Sequence, residues 1–290
     1  MSRKPASLLL LAFAAFAAVP ATAGAVVESA TSGAIAVTVG YEVVPRTTEG
    51  YEWHEVIDPV LTITREGRQV YSAPVGSPKP PCHPTGGEAF CVPAGEAGVA
   101  PNSVQVVELE SDGEPDVLLH LWTGGAHCCY IDQVFRWSPS ASTYTVTERE
   151  WGDASAGLVD LRHDGKLEFL TADDRFAYAF TDYARSGLPI QIWTFSDGAF
   201  TNVTRRFPSL VARDAASWWH YFKDTHGEDD VGVFASWAAD EELLGHAGLV
   251  NRRLSRELRA HRLKAAVGPD HGRRFARDLR RDLRRWGYLH

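Results

Sequence analysis

Apolar residues alternate with small or polar ones over Ile35, Val37, Val39, Tyr41 and Val43, the period of a half-buried strand. Leu61-Thr62-Ile63-Thr64 and Gln69-Val70-Tyr71 flank Glu66-Gly67, which predicts a hairpin turning at Gly67. Residues 74–101 are dense in Pro, Gly and Cys and read as a long loop. Short apolar runs then recur at 104–107, 117–122, 134–137, 144–147, 157–161, 190–195 and 199–204. Ser138-Pro139-Ser140 and Ser196-Asp197-Gly198 supply turns between two pairs of them. Residues 34–207 therefore read as three β units, each ending in a hairpin, the last two opened by an acidic Asp-Gly loop. Units of about 50 residues resemble propeller blades, but three are too few to close a ring, so a stacked array or twisted sandwich is expected.

After residue 207 the period changes. Val211 to Lys223, with Trp218, Trp219 and Phe222, reads as helix. Val233 to Leu244 continues with a second, stopped at Gly245. Val250, Leu254 and Leu258 are spaced four apart, and Phe275, Leu279, Leu283 and Trp286 make a longer stripe with arginines elsewhere around the helix. Gly287 is placed to cap it. The predicted fold class is α+β: an antiparallel β-repeat body, propeller-blade-like or sandwich, over 34–207, followed by a C-terminal helical bundle over 208–290.

Residues 1–23 form a secretory signal: Arg3 and Lys4, an apolar core from Leu8 to Val19 too short to span a bilayer, and Ala21-Thr22-Ala23 at the cleavage position. No other stretch is apolar enough to cross a membrane, so the mature protein is expected to be soluble, either secreted or at the cell envelope. Residues 26–250 hold 14 Lys and Arg against 33 Asp and Glu, whereas residues 251–290 hold 13 against 4. The basic tail is expected to dock on the acidic body, or else to face an anionic envelope surface; the partner would be a protein or a cell-wall polymer. An acidic exported chain with no reader motif does not fit nucleic-acid binding.

Four cysteines, Cys82, Cys91, Cys128 and Cys129, predict two disulfides in an exported chain. Pairing Cys82 with Cys91 leaves Cys128–Cys129 as a strained vicinal ring. The two crossed pairings avoid it and tie the 74–101 loop to the Cys128/Cys129 segment. All three remain open at this level, with the crossed ones preferred.

The chemistry sits in two acidic segments. The first runs from Glu108 through Glu110, Asp112-Gly113 and Glu114 to Asp116; the second runs from Asp160 through Arg162, Asp164-Gly165 and Lys166 to Glu168. Each carries an acid at its first and ninth places and Asp-Gly at its fifth and sixth. Glycine after aspartate permits the sharp turn that lets such carboxylates converge on a hard cation. These loops resemble the FG-GAP/VCBS class of calcium-loop β repeats. The stretches Thr123–Cys129 and Thr171–Phe180 resemble a group of uncharacterised secreted bacterial proteins.

The resemblance implies a structural calcium ion held by Glu108, Glu110, Asp112 and Asp116 in the first loop, and by Asp160, Asp164 and Glu168 in the second. Arg162 departs from the pattern, because a guanidinium cannot ligate a cation; it is expected between Asp160 and Asp164 in place of the ion. The function expected is a non-catalytic, exported scaffold that mediates envelope or partner contacts. The alternative is an extracellular hydrolase with its site near His127 and the Cys82–Cys91 loop. Nucleophile-elbow, zincin, P-loop and dinucleotide motifs are all missing, and Asp173-Asp174-Arg175 reads as a solvated, salt-bridged turn.

Overall fold

In a computed structural model the described residues are 24–48, 50–76, 91–94, 102–125, 128–225, 231–263 and 271–289. The signal segment therefore lies outside them, as do Cys82, His127 and most of the predicted 74–101 loop. The strands run β1 Gly24–Ser32, β2 Ile35–Thr48, β3 Tyr51–Arg65, β4 Arg68–Pro74, β5 Val92–Pro93, β6 Val104–Val107 and β7 Asp116–Gly125. They continue as β8 Cys128–Ser138, β9 Thr143–Gly152, β10 Gly157–Val159, β11 Glu168–Ala172, β12 Ile190–Ser196 and β13 Ala199–Asn202. Helices α1 Pro208–Asp224, α2 Val231–Leu243, α3 Ala247–Arg259 and α4 His271–Arg285 follow.

The strands form three antiparallel meanders: β1-β2-β3-β4; then β7-β8-β9 with the short β5 and β6 both along the free edge of β7; then β10-β11-β12-β13. The predicted hairpin turn is Glu66-Gly67, both at positive φ, which suits the twist of a two-residue connection. The three sheets stack face to face. Ile35, Val37, Val39, Leu61 and Ile63 of the first sheet pack on Val117, Leu119, Leu121 and Phe135 of the second. Leu118 and Val134, on the other face of the second sheet, pack on Phe169 and Phe195 of the third. The middle sheet is buried on both sides, which is why β7 reads as a continuous apolar run rather than an alternation.

The second face of the third sheet continues the stack. Leu170, Ile190 and Ile192 meet Val203, Phe207 and Leu210, the entry to α1. The four helices then enclose their own core around α2, which is buried at nearly every position and packs Phe234 and Trp237 against Phe222, Leu254, Phe275 and Leu279. The stripe predicted on α4 is thus core packing.

The sequence reading needs three corrections. Sheet structure begins at Gly24, ten residues before the predicted boundary. The Asp173-Asp174-Arg175 segment is not a solvated turn: Asp173 is buried, capping the 3₁₀ turn Asp174–Phe176 and accepting the Tyr288 hydroxyl at 2.7 Å from beyond α4. Among the described residues the salt bridges of the basic tail are local rather than made to the acidic body: Arg274 and Arg281 pair with Asp278 and Asp282 on α4, and Arg256 and Arg262 pair with Glu257 on or beside α3. Among the described residues no helix is long and apolar enough to cross a membrane.

Candidate functional site

The two acidic segments occupy equivalent places. The first joins β6 to β7 and the second joins β10 to β11, each linking two strands that pair antiparallel. In both, the ninth residue opens the second strand opposite the last residue before the loop: Asp116 faces Val107 and Glu168 faces Val159.

Their internal bonding also matches. The first carboxylate accepts the fifth N–H: Glu108 from Asp112 at 3.2 Å, Asp160 from Asp164 at 3.1 Å. The fifth carboxylate accepts the seventh N–H: Asp112 from Glu114 at 2.9 Å, Asp164 from Lys166 at 3.1 Å. Gly113 and Gly165 sit at φ +85° and +83°, the left-handed conformation that such a turn requires.

The loops diverge at the third residue, and the difference reaches the ninth. In the second loop Glu168 is 3% exposed, accepts the Leu161 N–H at 3.1 Å and has the Arg162 Nε 4.0 Å away. Arg162 also lies over the Phe207 ring, 4.6 Å from its centroid. It therefore turns to Glu168 and the helical side rather than sitting between Asp160 and Asp164, because the buried carboxylate is the one short of positive charge. Asp160 is held below the usual carboxylate range by backbone N–H groups, Gly165 foremost.

The first loop has Glu110 where the second has arginine. Glu110 is bound by Arg136 of β8 and accepts the Gly198 N–H from the β12–β13 turn, so it ties the loop to two sheets. Glu114 receives Arg65 of β3, with Nη2 to Oε2 at 2.8 Å, which ties the loop to the first sheet. Neither arginine reaches the ninth residue. Asp116 is 1% exposed, and its Oδ2 has no hydrogen-bond partner. Burial, then the charges of Glu110, Asp112 and Glu108, push its pKa up to about 7 against the pull of the Leu109 N–H. Among the described residues no three His, Cys, Asp or Glu side chains are already arranged to hold a metal ion.

Cys91 and Cys129 are buried and disulfide-bonded, but no bridge joins two residues whose side chains are both described, so the pairing of the four cysteines lies outside them. The hydrolase alternative also rests on His127 and the Cys82–Cys91 loop, outside the described residues. Its neighbour His120 pairs with Asp132 at 2.6 Å, and the other oxygen of Asp132 accepts the Trp151 indole N–H at 2.8 Å. The Nε2 of His120 is engaged by Gln105 at 2.9 Å, which leaves this imidazole a buried network member.

Sequence reasoning passed over a further cluster. Arg149 of β9 lies between two indoles, with its Cζ 3.3 Å from the ring centroid of Trp193 and 4.9 Å from that of Trp151. Trp193 comes from β12 in the next sheet, so no local pattern announced the contact.

No protein-family model and no solved structure matches the chain. Over 150 residues, 49% of this chain, it is 31% identical to a protein of Synechocystis sp. described as a probable thylakoid lumen protein. Over 196 residues it is 27% identical to an uncharacterized protein of Sinorhizobium fredii. The chain spans less than half the length of these relatives, 44% of the first and 30% of the second.

Proposed function

We propose that this is a non-catalytic protein of an extracytoplasmic compartment, a β-repeat scaffold whose first acidic loop takes up a structural calcium ion. The carrying observation is Asp116. It is a buried carboxylate with an unpartnered oxygen, ringed by Glu108, Glu110 and Asp112, at the place where the sister loop supplies a guanidinium. Proteins leave buried polar atoms unpaired rarely, and a divalent cation would satisfy this one. The half-buried Glu108 and the exposed Asp112 side chains can swing to it, while Glu110 is already engaged by Arg136. The second loop, charge-compensated by Arg162, needs no ion. The thylakoid lumen description of the Synechocystis relative supports the compartment. Arg277, Arg280, Arg281, Arg284 and Arg285 line one exposed side of α4 and suit an anionic wall polymer.

Thermal melts at pH 7.5 with excess calcium and with chelator test the reading. A ligand that binds only the native state stabilises it by about 2.7 kcal/mol at a hundredfold its dissociation constant. Calcium is expected to raise the Tm by several degrees, Asp116→Asn to abolish the rise, and Asp164→Ala to leave it in place. Coincident melts with and without calcium would refute the ion site.

A further inference from the structure

A cavity of about 770 Å³ lies between the third sheet and the turn that follows α4. That volume is in the range of small-molecule sites. Its walls combine residues from four places: Arg149 and Trp151 of β9, Trp193 of β12, Arg175 of the 3₁₀ turn, and Trp286 after α4, with Arg206 joining them before α1.

The cations of this cavity are not equally used. Arg205 donates to the carbonyls of Leu243, Gly287 and Tyr288 and so fastens helix ends together. Arg175 is held by Asp173. Among the described residues Arg149 has no carboxylate partner, and its Nε is fully buried and unpaired. Desolvation, followed by repulsion from Arg175, pulls its pKa down to about 10, so it remains charged at neutral pH. Asp173 opposes the shift but is already shared by Arg175 and Tyr288. The indole faces stabilise the cation without satisfying its N–H donors. Arg206, exposed, is likewise without an ion pair.

The acids of the lining do not answer this charge. Asp174 accepts the Asp153 N–H at 3.0 Å, and both Asp174 and Glu150 are raised above their usual range, chiefly by burial. An unpaired guanidinium, presented rigidly between two indoles and repelled by a second guanidinium, is a receptor for a planar or tetrahedral oxyanion.

We propose that this cavity binds a small organic anion, its carboxylate or phosphate oxygens received by the half-buried Arg149 and the exposed Arg206, and its apolar body by the Ile190 and Trp286 side chains. The site is separate from the acidic loops and does not depend on the calcium reading.

Calorimetric titration of the full chain at fixed ionic strength, in chelator so that phosphate meets no calcium, tests it with three probes: inorganic phosphate, benzoate and, as the charge-reversed control, benzamidine. Saturable binding of phosphate alone marks a phosphate-bearing ligand; saturable binding of benzoate marks an aromatic or aliphatic carboxylate. Either is expected to weaken at least tenfold in Arg149→Gln. Arg206→Gln, at an exposed position where folding is not at stake, is expected to weaken it severalfold. No saturable binding of phosphate or benzoate at millimolar concentration would overturn the proposal. So would affinities unchanged in Arg206→Gln, or benzamidine binding as well as benzoate.

Discussion

Replacing Asp240 with asparagine should reverse its effect on stability between acid and neutral pH. Asp240 lies near the C-terminal end of α2 with 0% exposure, and among the described residues no backbone N–H or cationic side chain donates to either carboxylate oxygen. Burial, then the neighbouring Asp214, raises its pKa from 3.8 to about 10. The Oδ2 of that Asp214 accepts the Ile190 N–H and the Trp218 indole N–H, both at 3.0 Å. Asp240 is therefore a neutral acid at pH 7, where the unfolded chain would ionise it. At about 1.4 kcal/mol per unit, holding that proton costs about 4 kcal/mol at pH 7.

The sign follows from proton counts. Between pH 4 and 10 the native state binds the proton and the unfolded state does not, so this group's contribution to stability is complete below pH 4 and is lost as pH rises towards 10. Asparagine has the shape of the neutral acid and no titration, but it buries one more donor N–H than the acid's single O–H, at about 1–3 kcal/mol independent of pH. Asp240→Asn should thus be less stable than the parent near pH 4 and more stable by pH 8. The difference between the two should change by about 1.4 kcal/mol per pH unit. Urea unfolding at four pH values between 4.5 and 9 measures it, and other titrations cancel in the difference. Parallel stability curves would show that Asp240 is not a buried neutral acid.

Two further substitutions probe how the helices are held. Tyr288→Phe removes the 2.7 Å bond to Asp173 while leaving Arg175 on that carboxylate, and should lower stability by about 1.5–3 kcal/mol in denaturant titration; an unchanged midpoint would mean that the tail is held by packing alone. Gly232→Ala would ordinarily favour a helix, but here a Cβ would stand 2.4 Å from the Arg185 carbonyl oxygen and 2.9 Å from the Ser186 Cα, so it should lose about 1–3 kcal/mol; a higher Tm would refute the close approach. In chelator, Asp116 gives a smaller counterpart of the Asp240 effect: stability should fall as pH climbs from about 4 to about 7, and calcium should remove that fall. Equal pH slopes with and without calcium would argue against a cation at Asp116.

Where the signal was local, the sequence carried it. Alternation from Ile35 to Val43, positive φ at Gly67 and the helix stops at Gly245 and Gly287 need only neighbouring residues, and each is found in place. The likeness of the two acidic loops was also legible, because it resides in spacing. The first strand was missed because Gly24–Ser32 directly follows the signal segment and carries few large apolar residues. The reach of β2 and β3 out to Thr48 and Tyr51 was missed because their outer halves are rich in Glu, Thr and Pro. The burial of Asp173 could not be foreseen, since its partner Tyr288 is 115 residues away. The Arg149 cavity fails for the same reason: segments far apart in the chain build it, and none is unusual alone. The opposite fates of Asp116 and Glu168 turn on one residue in each loop, Glu110 and Arg162, whose side chains had to be placed before the charge deficit could be seen.

The meander order of the sheets has a consequence for how the chain folds. Almost every strand pairs with its neighbour in sequence, so each sheet can form from one continuous stretch with little loop-closure entropy, a topology that favours rapid assembly. The middle sheet, however, has no solvent face of its own. Until the third sheet closes over it, Leu118 and Val134 stay exposed to water on a surface built for another β layer. Assembly along the chain thus passes through a stage that presents an adhesive sheet, and the yield of native protein depends on how soon residues 157–202 arrive to cover it.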